Sequence, residues 1–156
     1  MINTQDLTWK DLDQAHDVPD AVMYWLDDSR SLTAKLKTKF NDFAVNVVSQ
    51  TQLKPYQNES EVLGFEGDSI IREVELLGGD QIMVFARSVI PVTNDTEDLL
   101  SIGSKPLGEV LFNDPTITRG QLQITHTGST WGRRSTFTIG TTKLLVSEFF
   151  LENLYA

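Results

Sequence analysis

The sequence predicts an α+β fold, a single antiparallel β-sheet with helices packed on one face. Three observations predict it. Helical spacing of apolar residues is concentrated in the first forty positions, while alternation with a period of two dominates afterwards. The strand-like runs are joined by turn chemistry. The gaps between them are too short for the dozen or more residues that a parallel crossover needs.

The first 16 residues carry no firm pattern. Asp17-Val18-Pro19-Asp20 then marks a helix start, with Asp17 as N-cap and Pro19 early in the first turn. Val22, Trp25 and Leu26 give this helix one apolar face. A second helix is predicted over Ser31–Phe40, with Leu32, Leu36 and Phe40 as its inner stripe. From Val45 to Gln52 the period is two, which predicts a strand. Residues 53–68 read as a long polar loop. Ser69–Leu77 and Gln81–Ile90 flank Gly78-Gly79-Asp80, a hairpin by turn chemistry, and Pro91 ends it. A helical turn near 95–101 and a short helix over Pro106–Phe112 come next. Three strands near 118–126, 131–139 and 143–151 follow, turning around Gly128 and Gly140. The whole chain, 1–156, reads as one domain, with residues 1–16 as its poorly patterned N-terminal segment.

Charges on apolar strand faces carry the functional signal. Arg72 sits among Ile70, Val74 and Leu76. Arg87 shares a face with Met83, Phe85 and Val89; Arg133 alternates with Trp131, Ser135, Phe137 and Ile139; Glu148 falls among Leu144, Val146 and Phe150. A guanidinium cannot neutralise itself, so each needs a partner. Four such residues on four strands predict either a buried ion-pair network or a polar pocket on the concave side of the sheet. In a pocket, Arg grips a carboxylate with two parallel hydrogen bonds and Glu accepts from a hydroxyl. Arg134, on the other face with Thr136 and Thr138, is expected to face solvent or to help bind a flap or an acidic patch.

Composition excludes several function classes. The chain has no cysteine, hence no disulfide scaffold, thiolate catalysis or Cys-ligated metal. The two histidines, His16 and His126, have no carboxylate cluster at metal-ligand spacing, and His126 reads as a surface residue. A net charge of -9 repels nucleic acid and anionic membranes at long range. Lys35, Lys37, Lys39 and Lys54 form a locally positive stretch, read as a solvated helix face and strand end rather than a phosphate site. The N-terminus lacks the basic start and apolar run of a signal peptide, and no apolar stretch approaches a membrane span. A cytoplasmic monomer is expected.

Several ordered blocks go further. Arg72-Glu73 opens a strand; Ala86-Arg87-Ser88-Val89-Ile90-Pro91 follows; then come Leu99-Leu100-Ser101-Ile102-Gly103 with Lys105-Pro106-Leu107-Gly108 and Leu111-Phe112. Trp131-Gly132-Arg133-Arg134-Ser135 and Leu144-Leu145-Val146-Ser147-Glu148-Phe149-Phe150-Leu151 complete the series, with Trp25-Leu26 and Asp28-Ser29 near the start. In this order they resemble the bacterial chorismate pyruvate-lyases over roughly residues 20–155. The resemblance implies a sheet with the ligand buried under helical flaps. It implies a reaction splitting chorismate into 4-hydroxybenzoate and pyruvate, at the entry to ubiquinone biosynthesis, with no metal or organic cofactor. Arg72 and Glu148 are implied as the catalytic pair, Arg72 on the ring carboxylate and Glu148 with the main chain of Leu107 on the ring hydroxyl. Leu32, a methionine in some relatives, is implied at the carboxylate end.

The chemistry suits those residues, because losing enolpyruvate and a proton makes the ring aromatic. The site must therefore fix geometry and support charge on the departing oxygen. Two substrate carboxylates call for two cations, and the expected second one is Arg87 or Arg133, unless these arginines instead hold Glu148 ionised and in place. Whether Glu148 acts as base or only orients the hydroxyl stays open. The alternatives are a non-catalytic small-molecule effector-binding domain of related fold, disfavoured by the short acidic N-terminus without a recognition helix, and a protein whose inward charges are plain ion pairs.

Overall fold

The computed structural model describes residues 4–14, 18–27, 31–103, 105 and 107–155. The expected N-cap Asp17, along with His16, Asp28-Ser29 and Pro106, lies outside the described residues. Eight antiparallel strands form one sheet: β1 (Lys10–Asp11), β2 (Ala44–Leu53), β3 (Ser69–Gly78), β4 (Gln81–Pro91), β5 (Thr118–Arg119), β6 (Gln123–Thr127), β7 (Thr130–Ile139) and β8 (Thr142–Phe150). Their order is β1-β6-β7-β8-β4-β3-β2, with β5 pairing β7 at its far end. The run expected as a single strand near 118–126 is thus two short ones. The hairpin between β3 and β4 turns where expected, with Gly79 at φ 64°, a conformation that costs glycine nothing.

Three helices cover one face of the sheet: α1 (Asp20–Leu26), α2 (Leu32–Lys39) and α4 (Leu107–Asn113). Ser31 caps α2 by accepting from the Ala34 N–H. Two apolar clusters pack beneath them. Trp25, Leu26, Leu32 and Leu36 meet Val74, Leu76, Ala86 and Phe150. Leu107 and Leu111 meet Ile90, Phe137, Leu144 and Val146, together with Leu99 from a 3₁₀ turn over Asn94–Ser101.

Residues 53–68 are not simply a loop. They contain α3 (Gln57–Leu63), which ends at Gly64 in the left-handed conformation. This helix lies against the other face of the sheet, where Leu63 packs on Ile71, Val89 and Leu145. Its anchor is electrostatic. Glu59, 3% exposed, accepts from Arg87 Nε at 2.7 Å and Nη2 at 2.9 Å, and also from the Tyr56 N–H at 2.8 Å. The Arg87 guanidinium also bonds Glu73 and stacks over the Tyr56 ring at 4.0 Å. A polar-looking stretch folds as a helix because its one buried carboxylate serves both as its own N-terminal cap and as the partner of a strand arginine.

Removing one member of such a buried pair strands the other. Glu59→Ala is expected to cost about 3 kcal/mol of unfolding free energy, read as a lower urea midpoint at unchanged slope. Glu73→Ala, whose side chain is 24% exposed, is expected to cost under ~1 kcal/mol. Equal losses would show that α3 is not held by this pair.

Candidate active site

Cross-strand register decides which charges share a face. Arg72 on β3 lies opposite Ser88 on β4, and Ser88 lies opposite Val146 on β8. Two residues further along, Glu148 on β8 is opposite Ala86 on one side and Arg133 of β7 on the other. Arg72, Ser88, Glu148, Arg133 and Ser135 therefore point to the helix-covered face. On β3, β4 and β8 the polar residue stands between a member of one apolar cluster and a member of the other. The result is a polar seam running obliquely under α1, α2 and α4. Ordinary strand spacing and rise put the Cα atoms of Arg72 and Glu148 about 12 Å apart.

The arginines of the seam are held differently. Arg133, 1% exposed, donates from Nε to Glu148 Oε1 at 2.8 Å. Its Nη1 donates to the carbonyls of Trp25 at 3.1 Å and Leu26 at 3.3 Å, the last turn of α1. It thus satisfies orphan carbonyls at the negative end of that helix while fixing the carboxylate. Arg72, 2% exposed, bonds only neutral groups: Gln50 Oε1 and the Lys105 carbonyl, each at 3.1 Å. No acidic side chain among the described residues forms an ion pair with it. Burial pushes its guanidinium below the ordinary arginine value, yet arginine keeps its proton at neutral pH. A buried positive charge with hydrogen-bonding partners but no counter-charge is what an anionic ligand would complete.

Arg72 and Glu148 both line one internal pocket, with Leu32 and Thr33 of α2, Ser88, and Leu107, Gly108 and Leu111 of α4. Arg119 of β5 joins them, a residue that the sequence reading missed. Its Nε donates to Ser135 Oγ at 3.0 Å, and its guanidinium faces the rings of Phe112 and Phe137 at 5.3 and 5.5 Å. Its signal was hidden because it belongs to a two-residue strand with no alternation to interrupt. The pocket volume is about 40 Å³, too small for an aromatic ring; a dry cavity that takes benzene is about 150 Å³. The outer wall of the pocket is formed by α2 and α4. They are tied by Lys37 Nζ to Glu109 Oε2 at 3.0 Å, an exposed pair, worth no more than about 1 kcal/mol.

Two expectations need correction. Arg87 does not reach this pocket: it sits on the opposite face, saturated by Glu59 and Glu73. Strand β4 is buried on both sides, so apolar neighbours alone did not reveal which side Arg87 joined. Of the alternatives for Arg134, it neither faces solvent nor ion-pairs with an acidic patch among the described residues, but holds the covering helix α3. It is 6% exposed, donating to Gln123 Oε1 and Asn58 Oδ1 at 2.9 Å, with the Trp9 ring 4.5 Å away. Burial pushes its guanidinium down to about 10, still protonated at neutral pH. His126 is exposed, as expected, stacked 3.9 Å from Trp131. Among the described residues no group of three or more His, Asp or Glu gathers to hold a metal ion, and no helix is long and apolar enough to cross a membrane.

The family model described as chorismate lyase matches residues 3–156. This chain belongs to the chorismate lyase family. It is 32% identical to a probable chorismate pyruvate-lyase of Shewanella loihica, over 94% of this chain and 88% of that protein. It is 35% identical to a protein of the same description from Pseudoalteromonas atlantica, over 94% and 87%. A crystal structure of a Staphylococcus aureus gene product shares the fold at a TM-score of 0.55, with 12% identity over 81% of this chain and 91% of that one. Family membership agrees with the antiparallel sheet and its helical cover, as the sequence blocks predicted.

The two adjacent arginines are now both expected to be costly to remove. Arg133→Ala leaves Glu148 and the end of α1 without a partner and should cost about 3 kcal/mol. Arg134→Ala strands two side-chain amides and the Trp9 face and should cost about 2 kcal/mol. Urea unfolding of both variants checks this; a negligible loss for Arg134→Ala would contradict its burial.

Proposed function

We propose that the protein eliminates pyruvate from chorismate to give 4-hydroxybenzoate, without a metal or organic cofactor, and that the pocket around Arg72 and Glu148 is where it does so. One observation carries the reading beyond family membership. Arg72 is buried, charged and hydrogen-bonded only to neutral groups, at one end of a pocket whose other end holds a carboxylate fixed by Arg133.

In this reading Arg72 binds the ring carboxylate with its planar fork, releasing Gln50 or the Lys105 carbonyl as it does so. The Lys105 contact ties the segment entering α4 to the Arg72 end. The main chain of Leu107 accordingly accompanies Arg72, rather than the hydroxyl end that the resemblance implied, and Leu32 closes the pocket from α2. Glu148, with one oxygen engaged by Arg133, accepts the ring hydroxyl on the other. Arg119 takes over the role first expected of Arg87 or Arg133 and meets the enolpyruvyl carboxylate. As the ring C–O bond breaks, its electron pair passes to the enol oxygen. The neighbouring ring carbon loses its proton, the ring becomes aromatic, and the enol takes up a proton to become pyruvate. A guanidinium beside the departing group favours that charge transfer. The opening of α2 and α4 admits substrate and releases product, so lid motion shares control of turnover with the chemistry. The proposed setting is the cytoplasm, at the first committed step of ubiquinone biosynthesis.

Incubating purified protein with chorismate, with and without chelator, is expected to yield 4-hydroxybenzoate and pyruvate in equal amounts under both conditions. Binding without turnover would instead favour an effector-binding role, and loss of activity with chelator, restored by metal, would overturn the cofactor-free reading. Arg72→Lys keeps charge but loses the fork, and is expected to lower kcat/KM at least ~10-fold and to weaken 4-hydroxybenzoate. Arg119→Gln should raise KM for chorismate by ~10-fold or more while leaving the affinity for 4-hydroxybenzoate unchanged, since the product has lost the group that Arg119 is proposed to hold. Equal weakening of both ligands would remove Arg119 from that role. Glu148→Gln is expected to keep a measurable single-turnover rate; a fall of ~10²-fold or more with product binding intact would make Glu148 the base.

A further inference from the structure

A cavity larger than the one over the polar seam lies on the outer side of α2. It has a volume of about 530 Å³ and lies between α1, α2 and the C-terminal turn, within the range of sites that enclose a small organic ligand. The same helix therefore serves two cavities. Leu32 and Thr33 face the inner pocket, while Lys35 and Lys39, one turn apart, line the outer one.

The lining has a definite chemistry. Tyr24 is 65% exposed, an unusual position for a large aromatic, and it forms one wall beside Trp25. The Lys35 ammonium lies 3.5 Å from the Tyr24 ring centroid and 4.7 Å from that of Trp25, and it donates to the Tyr24 carbonyl. The Lys39 ammonium donates to the Leu154 carbonyl at 2.8 Å and stands 5.6 Å from the Trp25 ring. No carboxylate among the described residues pairs with Lys39. Residues 31–41 contain three lysines and no acidic side chain, in a chain of net charge -9. This is the locally positive stretch that sequence alone read as a solvated face. Lys37 pairs with Glu109, while Lys39 lines a cavity with aromatic walls.

We infer that this outer cavity is a binding site for an aromatic carboxylate, with the ligand ring against Tyr24 and Trp25 and its carboxylate on Lys39. An aromatic anion matches both halves of the lining. A ring gains contact area on the exposed Tyr24 face, and a carboxylate supplies the counter-charge that Lys39 lacks. The proposal does not depend on the lyase reading, since none of the groups it uses lines the inner pocket.

The probe is 2-naphthoate, whose two fused rings suit a cavity of this size and exceed the inner pocket. It is titrated into the full-length protein by equilibrium dialysis, with tryptophan fluorescence in parallel. Saturable binding of one equivalent is expected. Lys39→Gln and Tyr24→Ala, both surface changes, are each expected to weaken it by ~5-fold or more, while Arg72→Lys leaves it unchanged. The neutral 2-naphthalenemethanol should bind at least ~5-fold more weakly than the anion. Absence of saturable binding, full affinity in Lys39→Gln, or equal affinity for the neutral analogue would overturn the proposal. So would loss of binding in Arg72→Lys, which would move the probe to the inner pocket.

Discussion

A guanidinium carries its charge wherever the fold takes it, and this sheet buries four. Arg72, Arg87, Arg133 and Arg134 are each 6% exposed or less. Much of the structure follows from how each charge is accommodated. Arg87 recruits Glu59, and with it the N-terminal turn of α3. Arg133 recruits Glu148 and the last carbonyls of α1. Arg134 settles among two side-chain amides and an indole face. Arg72 alone of the four is left with only two neutral oxygen acceptors and no ring stacked on it. Three solutions are internal to the protein and serve stability. The fourth has the fewest partners and lines a pocket, and this asymmetry separates the proposed binding residue from three neighbours that look alike in the sequence.

The same charges divide the core. A continuous apolar face would bury α1, α2 and α4 as one layer, but the polar seam splits it into two clusters, one under α1 and α2 and one under α4. Each helix thereby packs mainly on its own cluster, and the line between clusters is the natural place for a cover to part. The exposed Lys37–Glu109 pair bridges that line with little energy. A pocket too small for a ring in the closed arrangement, under helices joined by a weak tie, fits a protein that must sequester a ligand and then release it. Because α2 also forms the inner wall of a larger, cation-lined cavity outside, whatever orders that helix acts at both places.

A good deal of this was legible in the sequence. Alternation along 69–77, 131–139 and 143–150 marks Arg72, Arg133 and Glu148 as charges on apolar faces, and the Gly78-Gly79-Asp80 turn locates the central hairpin. The ordered blocks around Arg72, Trp131 and Glu148 identify the family. Those signals are local, since neighbours within a strand or turn express them, and the strand period of two assigns each side chain to one side of its own strand.

What alternation cannot do is match the sides of different strands. That depends on register, set by long-range pairing and shifted by irregularities such as those at Val47/Ser49 and Leu76/Leu77. Strands β4 and β7 are largely buried on both faces, so apolar neighbours surround Arg87 and Arg134 whichever way they point. Only the assembled sheet sent Arg87 to Glu59, buried Arg134, and brought Arg119 from a two-residue strand into the pocket. The helix over Gln57–Leu63 was invisible for the same reason, because its stabilising partner is 28 residues away in sequence. By itself, then, the sequence determined most of the elements, the family and which residues interrupt an apolar pattern. Tertiary structure decided which of those interruptions meet, because pairing across the sheet is a property of contacts between distant segments and not of any one of them.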